Sequence, residues 1–181
     1  MAKMPEQLLR EAESGRQKSL MRLFDDHHLR LLRFAWRLTG SMADAEDIVQ
    51  ECFLALLRPG CTFNPARTPI LTYLFGVVRN QWLKRLRLRE QGEAPESIDS
   101  RTPETEAVRS ELAAAVAKAI AELPESQREV LVLAHYEQLP LAEIAEITNL
   151  EPTAVKSRLQ RARATMRESL AAFGPQTERS I

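Results

Sequence analysis

The sequence predicts an all-α protein: two small helical domains joined by an extended acidic linker. Three observations carry this. Apolar residues recur at helical spacing, and no segment alternates as a half-buried strand would. Only six of the 181 residues are glycine, too few for a turn-rich β fold. The stretch "EQGEAPESIDSRTPETE", residues 90 to 106, holds a single large apolar residue, Ile98, among prolines, hydroxyls and acids. Such a segment has too little to bury, and its like charges keep it extended. The expected organisation is a domain at 1–90, a flexible linker at 91–106, a domain at 107–174 and a disordered tail at 175–181. Units of roughly 90 and 70 residues are each small for a lone core, so modest stability is expected.

The N-terminal "MAKMPEQLLREAESGRQK" is too polar for a signal peptide, and no apolar run is long enough to span a bilayer. The only cysteines, Cys52 and Cys61, form no CxxC pair, so neither a disulfide framework nor a zinc site is suggested. A cytoplasmic protein without membrane insertion is expected. Formal net charge is zero, which argues against a general polyanion binder only if charge is evenly spread. It is not.

"SMADAEDIVQECFLALLR" begins at Ser41, a good N-cap, with Asp44 three residues on as in a capping box. Ala45, Ile48, Val49, Cys52, Phe53 and Leu56 follow helical spacing as a buried face. Asp44, Asp47, Gln50 and Glu51 point away, with Leu54 beside them. Taken alone, this acidic face reads as solvation; a docking surface for a basic partner is the alternative. "RPGCTFNPARTP" is a loop. "ILTYLFGVVRNQWLKRLRLR" reads as one helix whose second half carries Arg79, Lys84, Arg85, Arg87 and Arg89 around Trp82. Rings among cations suit single-stranded nucleic acid, by stacking on bases and following the backbone. The competing reading places Tyr73, Phe75 and Trp82 in the core.

In the C-terminal half, "RSELAAAVAKAIAEL" is an Ala-rich amphipathic helix, and "LPESQREVLVLAHYEQLP" is a helix with Pro124 in its first turn. "PLAEIAEI" gives about two turns with Leu141, Ile144 and Ala145 inward. Asn149 suits a left-handed turn position, and Pro152 the first turn of a new helix. On that helix Val155, Leu159, Ala162 and Met166 form a narrow inward stripe. Thr153, Ser157, Gln160 and Arg161 lie across the outer face, with Lys156, Arg163 and Arg167 on one flank and Arg158 on the other. A short helix, a tight turn and a helix bare and cationic outside make a helix-turn-helix, whose second helix reads the major groove.

The segments "DAEDIVQECFLALL", "LTYLFGVVRNQWLKRLR" and "LPESQREVLVLAHYEQLPLAEIAEITNLEPTAVKSRLQRARATMRE" resemble, in this order and spacing, the conserved regions of extracytoplasmic-function (ECF) sigma factors. The resemblance implies a non-catalytic subunit that binds core RNA polymerase and directs promoter recognition, with promoter DNA and an anti-sigma factor as further partners. It implies that Asp44, Asp47, Gln50, Glu51 and Leu54 bind polymerase. Phe63, Asn64, Tyr73, Arg79, Asn80, Trp82, Lys84 and Arg85 would capture the melted minus-10 strand. Thr153, Lys156, Ser157, Arg158, Gln160, Arg161 and Arg163 would read the minus-35 duplex. Departures from the family pattern are Tyr73 for a usual Trp, Gly76 for a frequent Arg, and Pro140, Asn149 and Thr153-Ala154 in the helix-turn-helix. The last three imply a promoter preference of its own.

The alternative is a helix-turn-helix regulator of duplex DNA without polymerase-subunit activity, which leaves the 79–89 cations and the 44–51 acids without a purpose. An enzyme has little support: His27, His28 and His135 have no matching Cys or Asp cluster, so no catalytic residue, metal ligand or cofactor is expected.

Overall fold

The computed structural model describes residues 4–58, 63–91 and 111–173, with side chains from residue 18 onward. The expected linker, apart from Gln91, and the tail at 175–181 lie outside the described residues. Among the described residues there is no strand. The elements are α1 (Met4–Thr39), α2 (Met42–Leu57), α3 (Ile70–Glu90), α4 (Glu111–Glu122), α5 (Glu125–His135), α6 (Leu141–Thr148), α7 (Pro152–Ser169) and a closing 3-10 turn (Ala171–Phe173). No described helix is long and apolar enough to cross a membrane.

Local chemistry sets the first corner. Gly40 ends α1 with φ at 72°, a left-handed conformation that costs glycine little, and its N–H returns to the Trp36 carbonyl at 2.8 Å. Ser41 then caps α2: its backbone is extended, and its Oγ accepts from the Asp44 N–H at 3.3 Å. The Ser41 N–H donates to Thr39 Oγ1 at 3.1 Å, which fixes the turn between the two helices.

Helices α1, α2 and α3 pack on one another around Leu31, Phe34, Leu38, Ile48, Val49, Cys52, Leu74, Phe75, Val78 and Trp82, all buried. Phe34 and Phe75 meet edge to face at 4.9 Å. The predicted inner face of α2 is buried except Leu56, which is partly exposed. Burial pushes the Cys52 thiol up to about 12, so it behaves as a small apolar group.

Helices α4 to α7 surround Ile120, Leu123, Val130, Leu133, Ile144, Val155, Leu159 and Ala162. Two expectations need correction. The helix expected to run through "HYEQLP" stops at His135, and Gln138 takes a left-handed φ of 55° in the turn that follows. Leu141 is 39 % exposed; Ile144, Ala145, Ile147 and Thr148 form the inner face of α6 instead.

The two helical groups are in contact: α5 packs on α1, and α6 lies against α3. Arg128 links them, donating to the Leu38 carbonyl of α1 at 2.8 Å and to the Leu123 carbonyl after α4 at 3.1 Å. One guanidinium thus satisfies orphan carbonyls at the C-terminal ends of two helices.

Candidate nucleic-acid interface

The turn into α7 is built as the sequence predicts. Asn149 sits at φ 54°, ψ 47°, and its N–H and that of Leu150 return to the Glu146 and Ala145 carbonyls. Pro152 opens α7, where its missing N–H costs nothing. Val155, Leu159 and Ala162 are buried and Met166 partly so, which fixes the rotation of the helix. Thr153, Lys156, Ser157, Gln160 and Arg161 are consequently exposed along one side. They form a continuous polar and cationic face, free of core packing, on a helix of the kind that a major groove admits.

Two residues expected on that face have protein partners. Arg158 is half-buried and reaches Glu129 of α5 at 3.3 Å. Arg163 is exposed but donates through Nε to His135 Nε2 at 3.1 Å. His135 therefore accepts as neutral imidazole; burial first and Arg163 second hold its pKa below the ordinary histidine value. Arg163 and His135 border an apolar groove of about 670 Å³, whose walls include Leu112, Ile120, Leu131, Met166, Leu170 and Phe173. The sequence reading did not find this groove, because its walls come from four separate elements.

On α3 the expected strand-binding residues divide. Asn80 and Lys84 are exposed. Phe63 and Tyr73 meet as tilted rings, 52° between planes and centroids 5.2 Å apart, both partly exposed, at the junction of the 63–69 loop and α3. Asn64 is exposed and its Oδ1 accepts from the Ala66 N–H at 3.0 Å, an Asx turn that shapes the loop. Trp82 is a correction. Its ring is only 2 % exposed and packs in the core, because Leu74, Phe75, Val78 and Trp82 recur along one helical stripe. It offers no face to a base.

Three of the cations of α3 are also engaged. Arg85 contacts Asp44 at 3.2 Å and Asp47 at 3.5 Å, and Arg89 also pairs with Asp44. Asp44 is therefore turned inward, at 13 % side-chain exposure, and not outward as expected. Asp47, Gln50 and Leu54 remain exposed and Glu51 half-exposed, so the outer face of α2 survives without its first acid. Arg79 is mostly buried and donates through Nε to Glu129 at 2.6 Å. Among the described residues no cluster of His, Cys, Asp or Glu could hold a metal ion.

Comparison with known proteins places both halves. Residues 23–91 match the family model described as Sigma-70 region 2, and residues 113–166 match Sigma-70, region 4. The chain is 34 % identical over 165 residues to the ECF RNA polymerase sigma factor SigL of Mycobacterium tuberculosis, covering 87 % of this chain and 93 % of that one. It is 26 % identical over 185 residues to the ECF RNA polymerase sigma factor SigW of Bacillus subtilis, covering 94 % and 98 %. Among solved structures it resembles the sigma factor RpoE in complex with the anti-sigma factor NepR from Bartonella quintana. That match has a TM-score of 0.70 at 25 % identity, over 85 % of this chain and 98 % of that one. It also resembles CnrH in complex with the cytosolic domain of CnrY, with a TM-score of 0.66 at 26 % identity, over 91 % and 96 %.

Proposed function

The chain belongs to the extracytoplasmic-function RNA polymerase sigma factors, a family of promoter-recognition proteins, and from that premise we propose how its surfaces divide the work. Residues 1–90 engage core polymerase and the melted minus-10 strand, and residues 107–174 engage the minus-35 duplex. The chain acts in the cytoplasm as a non-catalytic subunit: chemistry stays with the polymerase, and this protein supplies sequence discrimination.

The observation that carries the division is the exposed side of α7. Thr153, Ser157, Gln160 and Arg161 can reach base edges in the major groove, while Lys156 and Arg163 neutralise flanking phosphates. The strand-capture site is the Phe63–Tyr73 ring pair with Asn64 next to it in sequence and Asn80 two turns further along α3. Partly exposed rings can stack on an unpaired base, and Asn80 can offer a donor and an acceptor to its edge. Lys84, together with Arg79 and Arg85 once these are released from their carboxylate partners, holds adjoining phosphates. Asp47, Gln50, Glu51 and Leu54 on the outer face of α2 dock on the polymerase. The related RpoE is bound by an anti-sigma factor, and we assign this chain the same kind of partner.

The test is in vitro transcription by bacterial core polymerase on a promoter library. Addition of this protein should produce transcripts from a subset of promoters sharing minus-35 and minus-10 elements. A library without any dependent transcript overturns the assignment.

A further inference from the structure

Arg158 and Arg163 flank the exposed side of α7, and their partners differ in kind. Arg158 meets Glu129, a carboxylate, at 3.3 Å. That pair cancels the cation, and a phosphate would have to displace the anion. Arg163 instead donates through Nε to His135 Nε2 at 3.1 Å. A guanidinium has five N–H donors and no acceptor, so Nε2 offers its lone pair and the ring proton sits on Nδ1. The imidazole is therefore neutral, and the charge of Arg163 stays uncancelled. Among the described residues the Nη groups of Arg163 have no partner. His135 is the last residue of α5, which packs directly on α7, and both side chains of the pair are exposed.

We infer that His135 is a positioning residue for the minus-35 duplex: it holds Arg163 by Nε and leaves the Nη pair to grip a phosphate. This deepens, and rests on, the reading of Arg163 as a phosphate contact. Arginine meets a phosphate with two parallel N–H groups, either Nε with one Nη or the two Nη together. With Nε occupied, only the Nη pair remains, so one approach is selected. A free arginine gives up rotamer freedom when it binds, and a side chain already held gives up less. A neutral acceptor is the partner such a role requires, because it fixes the side chain without competing for its charge. Lys156 is exposed seven residues earlier on the same flank, roughly 10 Å along the axis. The flank thus presents one flexible ammonium and one oriented fork. In water the exposed Arg163–His135 bond adds little to stability. Under a bound phosphate it is shielded from water and counts for more.

The test uses the full chain and a fluorescein-labelled duplex chosen by selection from a random library, read by anisotropy over a salt series. Arg163→Ala should weaken binding and lower the salt slope by about one, as loss of a phosphate contact does. His135→Leu removes the acceptor and no charge; it should weaken binding about threefold, within the range of a single hydrogen bond, and keep the slope. His135→Gln places an amide oxygen near the position of Nε2 and should restore wild-type affinity. On the Arg163→Ala background, His135→Leu should cause no further loss. A folding defect would instead persist on both backgrounds, so the cycle decides even if a variant loses stability. The inference is overturned if His135→Leu binds as well as wild type or better, if Gln fails as Leu does, or if the loss persists without Arg163. Should Arg163→Ala weaken binding while His135→Leu does not, the phosphate contact stands and the inference alone fails. Should Arg163→Ala bind and respond to salt like wild type, the phosphate contact itself is misplaced and the inference falls with it.

Discussion

Arg79 on α3 and Glu129 on α5 are 50 positions apart and meet at 2.6 Å, with the carboxylate only 2 % exposed. The same carboxylate takes Arg158 of α7 at 3.3 Å. One buried anion thus serves two guanidiniums, each from a helix expected to touch DNA. Glu129→Ala would leave both cations unpaired at partly buried positions. The expected loss is about 3 kcal/mol, at the low end for a broken buried pair because both guanidiniums keep some water. Urea unfolding of the full chain checks this; an unchanged midpoint would show that the pairs add nothing.

Gly76 sits in the middle of α3, where a Cβ would meet nothing within 4 Å. Its backbone is ordinary helix, so the glycine serves no turn and no close approach. Gly76→Ala should raise stability by about 0.5–1 kcal/mol, from lower backbone entropy in the unfolded chain. Thermal unfolding followed by circular dichroism should show a higher Tm, and a lower one would point to a packing role.

Local features were the legible ones. The Ser41 cap, the left-handed Asn149 and the inner stripe of α7 follow from neighbours within a turn or two, and the sequence displays those neighbours. Trp82 was legible as well, since it continues the Leu74, Phe75 and Val78 stripe; its basic neighbours pointed the other way. The engagement of Arg79, Arg158 and Asp44 was not legible. Each depends on a partner 29 to 50 positions away, and no spacing rule reaches across separate helices. Identity of the family was readable from block order, whereas the availability of each cation required the tertiary structure.

On α7, the structure separates two arginines that the sequence treats alike. Arg161 is exposed and its Nε bonds only the Ser157 carbonyl, weakly, at 3.4 Å. Arg158 is held by Glu129. Arg161→Ala should therefore cost about 1–3 kcal/mol of affinity for the preferred minus-35 duplex, concentrated at one base position. Arg158→Ala should cost less on DNA and more in stability, and Lys156→Ala should weaken all duplexes evenly. Anisotropy on a duplex chosen by selection from a random library would measure all three. Equal losses for Arg158 and Arg161 would contradict the distinction.

The outer face of α2 carries Asp47 at 63 % side-chain exposure, with only a 3.5 Å contact to Arg85. Asp47→Lys should leave folding intact, because so exposed a pair contributes little. It should weaken capture of core polymerase in a pull-down while the isolated duplex is bound as before. A folded variant that retains polymerase fully would return this face to plain solvation.

The strand-capture site gives the prediction that most separates promoter opening from duplex binding. The tilted rings of Phe63 and Tyr73 lie 5.2 Å apart beside exposed Asn64, with Asn80 two turns further along α3. Extruding a base costs a few kcal/mol, and stacking returns about 1–3 kcal/mol per base, so the rings and the amide must act together. Tyr73→Ala and Asn80→Ala should each reduce permanganate reactivity of unpaired thymines in the complex with polymerase, while binding to the minus-35 duplex is unchanged. Trp82→Ala should behave differently. Its ring fills the core of the first three helices, so its loss should destabilise the protein by about 3–5 kcal/mol and lower every activity together. If Tyr73→Ala and Asn80→Ala open promoters like wild type, the base is captured elsewhere. If Trp82→Ala folds normally and fails only in opening, the ring reaches the strand after all, through a rearrangement of α3 on the polymerase.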